Sequence, residues 1–371
     1  MVSTGTPARS PRIDPASPWF VSAFADLGVI ALPMLFALVA WLTLPDDGFG
    51  KPLWAYLLFV VSFDVAHVWS TGWLTWFDGE AFARRRRLLT WAPPLAFALS
   101  FAVHLASPVV FWTVLAWVAI THFAKQQVGF IALYRARCGE RDPVDRRLDR
   151  LALYTGAFGP VALWHADPTE VFDWFDAGEQ FVVRLPPSIA PWIHGVMIAV
   201  AVLWIGRQVQ QARSGRRVNP AVVVWMIAAW FTWWMGTRVA SNFFVAAAFL
   251  NLFHGIPYVA LVWLRCRANP DVWTRRDGLV GRLSRPGGAL VFYGVVLGLA
   301  LVEELLWDIT TWQDYAVVGL FADPSAVLAA AFVALLSLPQ VVHYGLDAVL
   351  WRRAPGNADL AHLMRFGRDR G

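Results

Sequence analysis

Four histidines of this sequence lie near the middle of long apolar segments. They are His67, His122, His254 and His343. An ionisable side chain in the hydrocarbon region of a membrane costs a few kcal/mol, so it usually faces the protein interior and serves a function. Neutral imidazole is the commonest metal ligand among protein side chains. The four histidines are therefore predicted to be the ligands of one shared metal site.

Polar companions flank each histidine at helical spacing. A residue three positions before or four positions after a histidine lies on the same helix face. A carboxylate or amide there can accept the second ring proton and so orient a metal-bound imidazole. Asp64 and Asp347 are predicted to do this or to bind the metal themselves. The residues predicted to act in catalysis or to contact substrate or dioxygen are Tyr258, Gln126, Asn251 and Gln340.

The ligand set indicates the metal only weakly. The two cysteines, Cys138 and Cys266, belong to no paired motif and are not expected to bind metal. Imidazoles with oxygen donors suit iron, zinc or copper, and a histidine and carboxylate set with open positions is typical of non-haem iron that uses dioxygen. One or two iron ions are predicted. Haem is the rival, because paired histidines in a helix bundle also hold haem.

Two other functions could use the same residues. Proton relays in transporters are built from Asp, Glu and His, so a proton-coupled or ion-coupled carrier remains open. A histidine and an aspartate on one helix face can also simply satisfy each other, as in a structural or haem-binding membrane subunit. Bound metal distinguishes the oxidoreductase from the carrier, and a Soret band would indicate haem.

The composition predicts the elements that must position these side chains. Of 371 residues, 58% are hydrophobic and 15% are charged, and the mean hydropathy is +0.50. These values indicate a polytopic membrane protein of the all-α class. The net charge of +5 is spread over short clusters between apolar segments, which indicates membrane topology rather than nucleic acid binding.

Since about 20 apolar residues span a bilayer, the hydropathy pattern predicts about ten transmembrane helices, with eight or nine as alternatives. The fifth is short and contains Gly156, Gly159 and Pro160, so a break is expected there. The predicted helices cover 19–44, 53–77, 88–106, 108–134, 151–166, 186–206, 219–236, 239–264, 288–307 and 325–351.

Arginine clusters follow every even-numbered helix, whereas the alternate loops are acidic or nearly uncharged. Because positive residues stay in the cytoplasm, both termini are predicted to be cytoplasmic in a multi-pass protein of a bacterial-type inner membrane. Residues 1–18 are expected to form a flexible tail, 19–353 a single transmembrane domain, and 354–371 a basic tail.

The four central histidines all lie on even-numbered helices, which run in the same direction. Each lies about 14 to 18 residues from the outer end of its helix, so a rise of 1.5 Å per residue places them in one layer. The other titratable groups near helix ends are expected to meet the membrane interface or water. These are His104, His165 and His194, and the acidic group Glu303, Glu304 and Asp308.

The histidine segments also carry recognisable short motifs. They are His122 with Phe123, His254 with Val262 and Trp263, and Pro339 to His343 with Asp347 and Arg352. In these motifs the chain resembles the bacterial β-carotene cleaving dioxygenases. These are integral membrane enzymes of the bacteriorhodopsin-related-protein-like family, and they make retinal. It departs from the family where Asp64 precedes His67 and where Tyr258 replaces a second histidine. The resemblance lies around the motifs, between residues 53 and 352.

The residues and the resemblance together predict an integral membrane non-haem iron oxidoreductase of the dioxygenase or monooxygenase type. Apolar walls would exclude water and admit a lipophilic substrate from the lipid bilayer. A carotenoid, another isoprenoid or a lipid chain would be the substrate, dioxygen the co-substrate, and an electron donor a further partner if the reaction needs one.

Overall fold

In the computed structural model, the part of the chain that can be described is entirely helical. It covers residues 17–43, 52–167, 183–240, 243–268, 278–312 and 324–352, with Leu360, Leu363 and Met364. No strand occurs within these ranges. The predicted N-terminal tail lies outside them except for Ser17 and Pro18. Of the predicted C-terminal tail, Leu360 and Leu363 are buried against the helices.

Each of the ten predicted segments forms a helix in the described part of the chain. The last is divided into two helices, and two short helices, Gly79–Arg84 and Gly278–Gly281, lie between longer ones. The long helices are α1 Ala23–Thr43, α2 Leu53–Leu74, α3 Arg86–Ala106, α4 Pro108–Arg137, α5 Pro143–Ala166, α6 Ala190–Arg213, α7 Pro220–Val239, α8 Phe243–Ala268, α9 Gly288–Trp312, α10 Ala326–Leu336 and α11 Leu338–Leu350.

Eight of the described helices are long and apolar enough to cross a membrane, and the pair α10 and α11 makes a ninth if it is one span. Helix α5 is outside this group. It begins at Pro143, eight residues before the predicted start, because Asp142 caps it by accepting a hydrogen bond from the Val144 amide at 2.8 Å. Its first two turns are therefore charged. The expected break at Pro160 is absent, and α5 is continuous.

The tenth predicted helix is bent by 43° between α10 and α11. The bend lies at Ser337, and Pro339 occupies the first turn of α11. Proline has no amide hydrogen and its ring clashes with the preceding turn, so the first turn of a helix is the position that it favours. The bend sets the direction of α11, which carries His343 and Asp347.

Helix α8 lies at the centre of the bundle. In its most apolar stretch 72% of the residues are buried, against 17% for α3. It packs against α1, α2 and α7 and also contacts α4. Gly255 makes the approach to α2 possible, because a Cβ there would collide with the carbonyl oxygen of Phe63. His254 thus lies where two helices come closest.

Helix α2 is irregular. Residues Tyr56–Val65 form a π-helical segment, and Thr71–Leu74 form a final turn of 3₁₀-helix. Such π segments are frequent at functional sites because they change which side chains face a partner. The helix ends at Leu74 rather than at the predicted residue 77, since the Phe77 amide turns back to donate to the Gly72 carbonyl at 2.9 Å.

Candidate metal centre

The four central histidines converge on one point inside the bundle. His67 comes from α2, His122 from α4, His254 from α8 and His343 from α11. One ring nitrogen of each lies within 4.8 Å of those of the other three, and all four side chains are buried. The predicted shared layer of histidines is thus a single cluster, the only such group of metal-ligating side chains in the described part of the chain.

The distances within two pairs of ring nitrogens fit a metal ion. The Nε2 atoms of His67 and His254 are 3.0 Å apart, and those of His122 and His343 are 3.2 Å apart. Two nitrogens that bind one ion at about 2.1 Å are about 3.0 Å apart at a right angle and about 3.4 Å apart at a tetrahedral angle. The two pairs are therefore close to the spacing of neighbouring ligands.

A chain of hydrogen bonds fixes the His343 ring. Its Nδ1 atom lies 2.8 Å from the hydroxyl of Thr71, which lies 3.1 Å from the Tyr258 hydroxyl. Tyr258 in turn donates to Oδ1 of Asp347 at 2.6 Å. If Nδ1 of His343 donates, every donor in this series of hydrogen bonds has an acceptor, and the series ends on a carboxylate. The opposite Nε2 atom then keeps its lone pair for a metal.

Two carboxylates lie next to the cluster. Asp64 lies 3.5 Å from Nδ1 of His67 and accepts a hydrogen bond from the Asn251 amide at 2.9 Å. Asp347 lies 3.8 Å from Nε2 of His122. Two carboxylates balance the charge of a divalent cation held by neutral imidazoles. Without a cation, two carboxylates in the bundle interior would carry a large desolvation cost.

Some ring nitrogens in the cluster lack a hydrogen-bond partner. The Nδ1 atoms of His67 and His254 are buried and accept or donate no hydrogen bond within the described residues. Buried polar atoms of structural side chains are normally paired, and an unpaired one costs about 1–3 kcal/mol. With Nε2 as the ligand atom, this cost is the same with and without a metal ion.

Aromatic rings pack against two histidines of the cluster. The Phe123 ring stacks on His254 at a centroid distance of 3.8 Å and an interplanar angle of 16°. The Tyr344 ring lies 4.5 Å from that of His122. Both aromatic residues directly follow a histidine of the cluster in the sequence. They pack against the His254 and His122 rings and hold them in place.

The predicted polar companions contact other helices more often than their own histidine. Asn251 donates to Asp64 of α2, and Tyr258 contacts α2 and α11. Gln340 donates instead to Tyr344 of its own helix at 2.6 Å. Both amide atoms of Gln126 are buried, with no hydrogen-bond partner among the described residues. Whether these four side chains contact a substrate stays a prediction.

Two residues of the site were missed by the sequence analysis. Thr71 connects His343 with Tyr258, and its signal was the spacing of four residues after His67. Glu303 was expected to meet water, but its side chain is buried and accepts a hydrogen bond from the Trp69 indole at 2.6 Å. Asp308 is buried as well, because α9 packs against α2 along this face.

The remaining helix-end histidines do not join the cluster. His194 is exposed, as expected, with its Nδ1 atom 2.9 Å from the Ala190 carbonyl. His104 and His165 are buried, contrary to the expectation of an interfacial position. The ring of His165 stacks on Trp117, and its Nδ1 lies 2.6 Å from the Val183 carbonyl. Packing between helix ends accounts for their burial.

A large cavity of about 1140 Å³ opens beside the cluster. It runs along α4 from Thr113 to Gly139 and continues past the start of α5. The cluster contributes His122 to its wall, together with Tyr258 and Asp347. The cavity therefore gives a bound molecule access to the histidines.

The chain matches no protein-family model, and neither a curated protein nor a solved structure matches it. The resemblance to the carotene dioxygenases thus stays an expectation from the motifs. What the chain is shown to contain is a membrane-type helix bundle with a buried group of four histidines that could hold a metal ion.

Proposed function

We propose that this protein is an integral membrane oxidoreductase that holds non-haem iron and acts on a lipophilic substrate with dioxygen. The observation that carries the proposal is the convergence of four buried histidines from four helices beside a cavity within the apolar bundle. A bound iron ion would supply one-electron chemistry and the activation of dioxygen.

The chain's own side chains would orient the ligands and hold a proton. Thr71 and Asp347 would keep His343 in one tautomer through the hydrogen-bond chain described above. The hydroxyl proton of Tyr258 is shared with Oδ1 of Asp347, next to the cavity wall. Gln126, whose amide has no hydrogen-bond partner among the described residues, would hold a polar atom of the substrate. The surrounding rings would exclude water from the reaction.

The arrangement favours a single ion over haem. The ring centroids of neighbouring histidines are 4.4–5.0 Å apart in every direction around the cluster. A haem needs two axial histidines with a wide, flat space between them for the macrocycle. Four rings that meet at one point fill that space, so a Soret band is not expected.

A proton-coupled carrier is the second candidate. The observation that favours it is the group of carboxylates on α9, where Trp69 donates to Glu303 and Tyr56 donates to Glu304. Buried carboxylates in a membrane bundle are typical of proton pathways. This function requires no metal, whereas the oxidoreductase requires one.

The test is a metal analysis of protein purified in detergent without chelators, combined with its absorption spectrum. About one or two irons per chain, no Soret band, and oxygen uptake that depends on an added lipophilic substrate are the expected results. Absence of metal, even after anaerobic iron loading, would overturn the oxidoreductase and favour the carrier. Zinc at full occupancy with no oxygen uptake would also contradict it.

A further inference from the structure

The cavity beside the histidines has a strongly basic end. Eight charged side chains from outside the histidine cluster line it, and six of them are basic. The acidic pair is Glu140, which forms an ion pair with Arg135 at 2.5 Å, and Asp347, which lies at the cluster. The basic lining residues are Lys125, Arg135, Arg141, Arg146, Arg150 and Arg352.

The two ends of the cavity differ in their lining residues. This difference limits the classes of molecule that can bind there. Arg141, Arg146 and Arg150 are exposed and stand at the end of α4 and on the first turns of α5. Arg146 and Arg150 are four residues apart and so lie on one helix face. Arginine side chains of this kind bind phosphate and carboxylate groups. The cavity beyond His122, in contrast, is lined mainly by apolar and aromatic side chains such as Val114, Trp117 and Val118.

Small residues form the path between the two ends. Gly129, Ala132 and Ala136 face the cavity along α4, at spacings that keep them on one side of the helix. A Cβ placed on Gly129 would meet no atom within 4 Å. This side of α4 therefore leaves an open lane wide enough for a hydrocarbon chain.

The lane has the length of a lipid chain. From His122 to Arg137, fifteen residues of helix extend about 22 Å, whereas one leaflet of the hydrocarbon core is about 15 Å thick. The cavity also continues beyond His122 to Thr113, about 13 Å further along the helix. A chain anchored at the arginines would use most of its length to reach the histidines, so its far end rather than its middle would lie near the cluster.

We propose that the cavity binds a long-chain amphiphile with an anionic head group, a phosphate or a carboxylate, at Arg141, Arg146 and Arg150. Its chain lies along Gly129, Ala132 and Ala136 with its far end toward the histidines. This inference rests on the proposed function and narrows the substrate to an anionic lipid, as opposed to a neutral carotenoid. The head group could belong to a membrane phospholipid or to a free acid.

Three probes with the same hydrocarbon chain distinguish the contribution of the head group to binding from that of the chain. They are hexadecyl phosphate, palmitate and hexadecanol, and their binding is measured by equilibrium dialysis. The full-length protein is held in nanodiscs of zwitterionic phosphatidylcholine, with empty nanodiscs as the blank. The two anions are expected to bind about tenfold more tightly than the alcohol at low salt, with the difference shrinking as salt is added. Equal binding of the alcohol would overturn the proposal.

Two variants test the residues. The double variant Arg146→Gln with Arg150→Gln is expected to remove the preference for the anions. The control is the double variant Arg213→Gln with Arg282→Gln, outside the cavity, which is expected to keep it.

Gly129→Leu is expected to weaken the binding of all three probes about tenfold, because the larger side chain fills the lane. Its control is Gly298→Leu on α9, where a Cβ also meets no atom. A cavity variant that behaves like its control would contradict the proposal.

The same measurements on metal-stripped protein keep the inference separate from the proposed function. The anion preference is expected to persist without metal, because the arginines lie far from the histidines. If the protein binds anionic amphiphiles but never metal, the proposed function fails and the inference stands. Displacement of hexadecyl phosphate by phosphatidic acid would assign the head group to a phospholipid, and displacement by palmitate alone to a free fatty acid.

Discussion

At the scale of single residues, the hydrogen bonds around His343 define the site most sharply. Nδ1 of His343, the Thr71 hydroxyl and the Tyr258 hydroxyl lead in sequence to Asp347. Partners of this type hold a metal-binding imidazole in one tautomer, and their loss typically lowers metal affinity by about 10–100-fold. Thr71 would therefore affect the binding of a metal at the histidines although it is not a ligand.

We expect Thr71→Val to lower the affinity for metal by about tenfold or more, because it leaves Nδ1 of His343 without an acceptor at almost unchanged volume. Chelator competition measures the affinity. The control is Thr232→Val on α7, since the Thr232 hydroxyl is buried and has no hydrogen-bond partner in the described residues. Equal affinity in the two variants would show that Thr71 does not orient the ligand.

The sequence was informative about the histidines and less so about their partners. Helical spacing correctly associated Asp64 with His67, since contacts within one helix follow from periodicity. It could not reveal that Asn251 bonds to Asp64 of another helix, or that Thr71 reaches His343. Contacts between helices depend on how the bundle packs, and no local pattern in a single sequence encodes that.

At the scale of elements, the approach of α8 to α2 determines whether the cluster can form. Gly255 allows it, because the Phe63 carbonyl occupies the space that a side chain would need. His254 and His67 stand on these two helices with their Nε2 atoms 3.0 Å apart. Two nitrogens that bind one ion at about 2.1 Å can be no more than about 4.2 Å apart, so a separation of the helices by more than about 1.2 Å would place them beyond its reach.

We expect Gly255→Ala to cost about 1–3 kcal/mol of stability through this clash and to reduce bound metal. The four histidines would all be present, so a loss of metal would reflect helix spacing alone. Gly294→Ala on α9 is the control, because a Cβ there meets no atom. Metal content per folded chain, measured after gel filtration, distinguishes the two. Full metal content in Gly255→Ala would contradict the argument.

The existence of the helices was predictable from hydropathy, whereas their bends were not. Pro339 was visible in the sequence, but proline is also tolerated inside helices, as Pro257 in α8 and Pro160 in α5 show. The bend before α11 arises from the position of Pro339 relative to Ser337 and from packing against α3. Local irregularities such as the π segment of α2 likewise depend on tertiary contacts.

At the scale of the whole molecule, the number of spans decides the positions of the termini. Eight described helices are long and apolar enough to span a membrane, and α10 with α11 makes a ninth. Helix α5 is too charged at its start to meet the same criterion, but its second half is apolar. If α5 also crosses the membrane, the chain has ten spans, as the arginine pattern predicts.

We expect peptide tags at the two termini to be accessible from the same, cytoplasmic side. Ten spans require this, and the arginine clusters after even-numbered helices set the orientation. Protease protection of the tags in intact cells and in inverted vesicles measures it. Tags on opposite sides would mean an odd number of spans, with either α5 or the bent pair α10 and α11 failing to cross the membrane.

The central claim is that four histidines from four helices hold one metal centre. The measurement that tests it most directly is the metal content of His67→Ala, His122→Ala, His254→Ala and His343→Ala, compared with the exposed His194→Ala as the matched control. Each of the four variants is expected to elute as a folded protein with most of its metal lost, while His194→Ala retains the wild-type content. Wild-type metal content in all four cluster variants would contradict the claim.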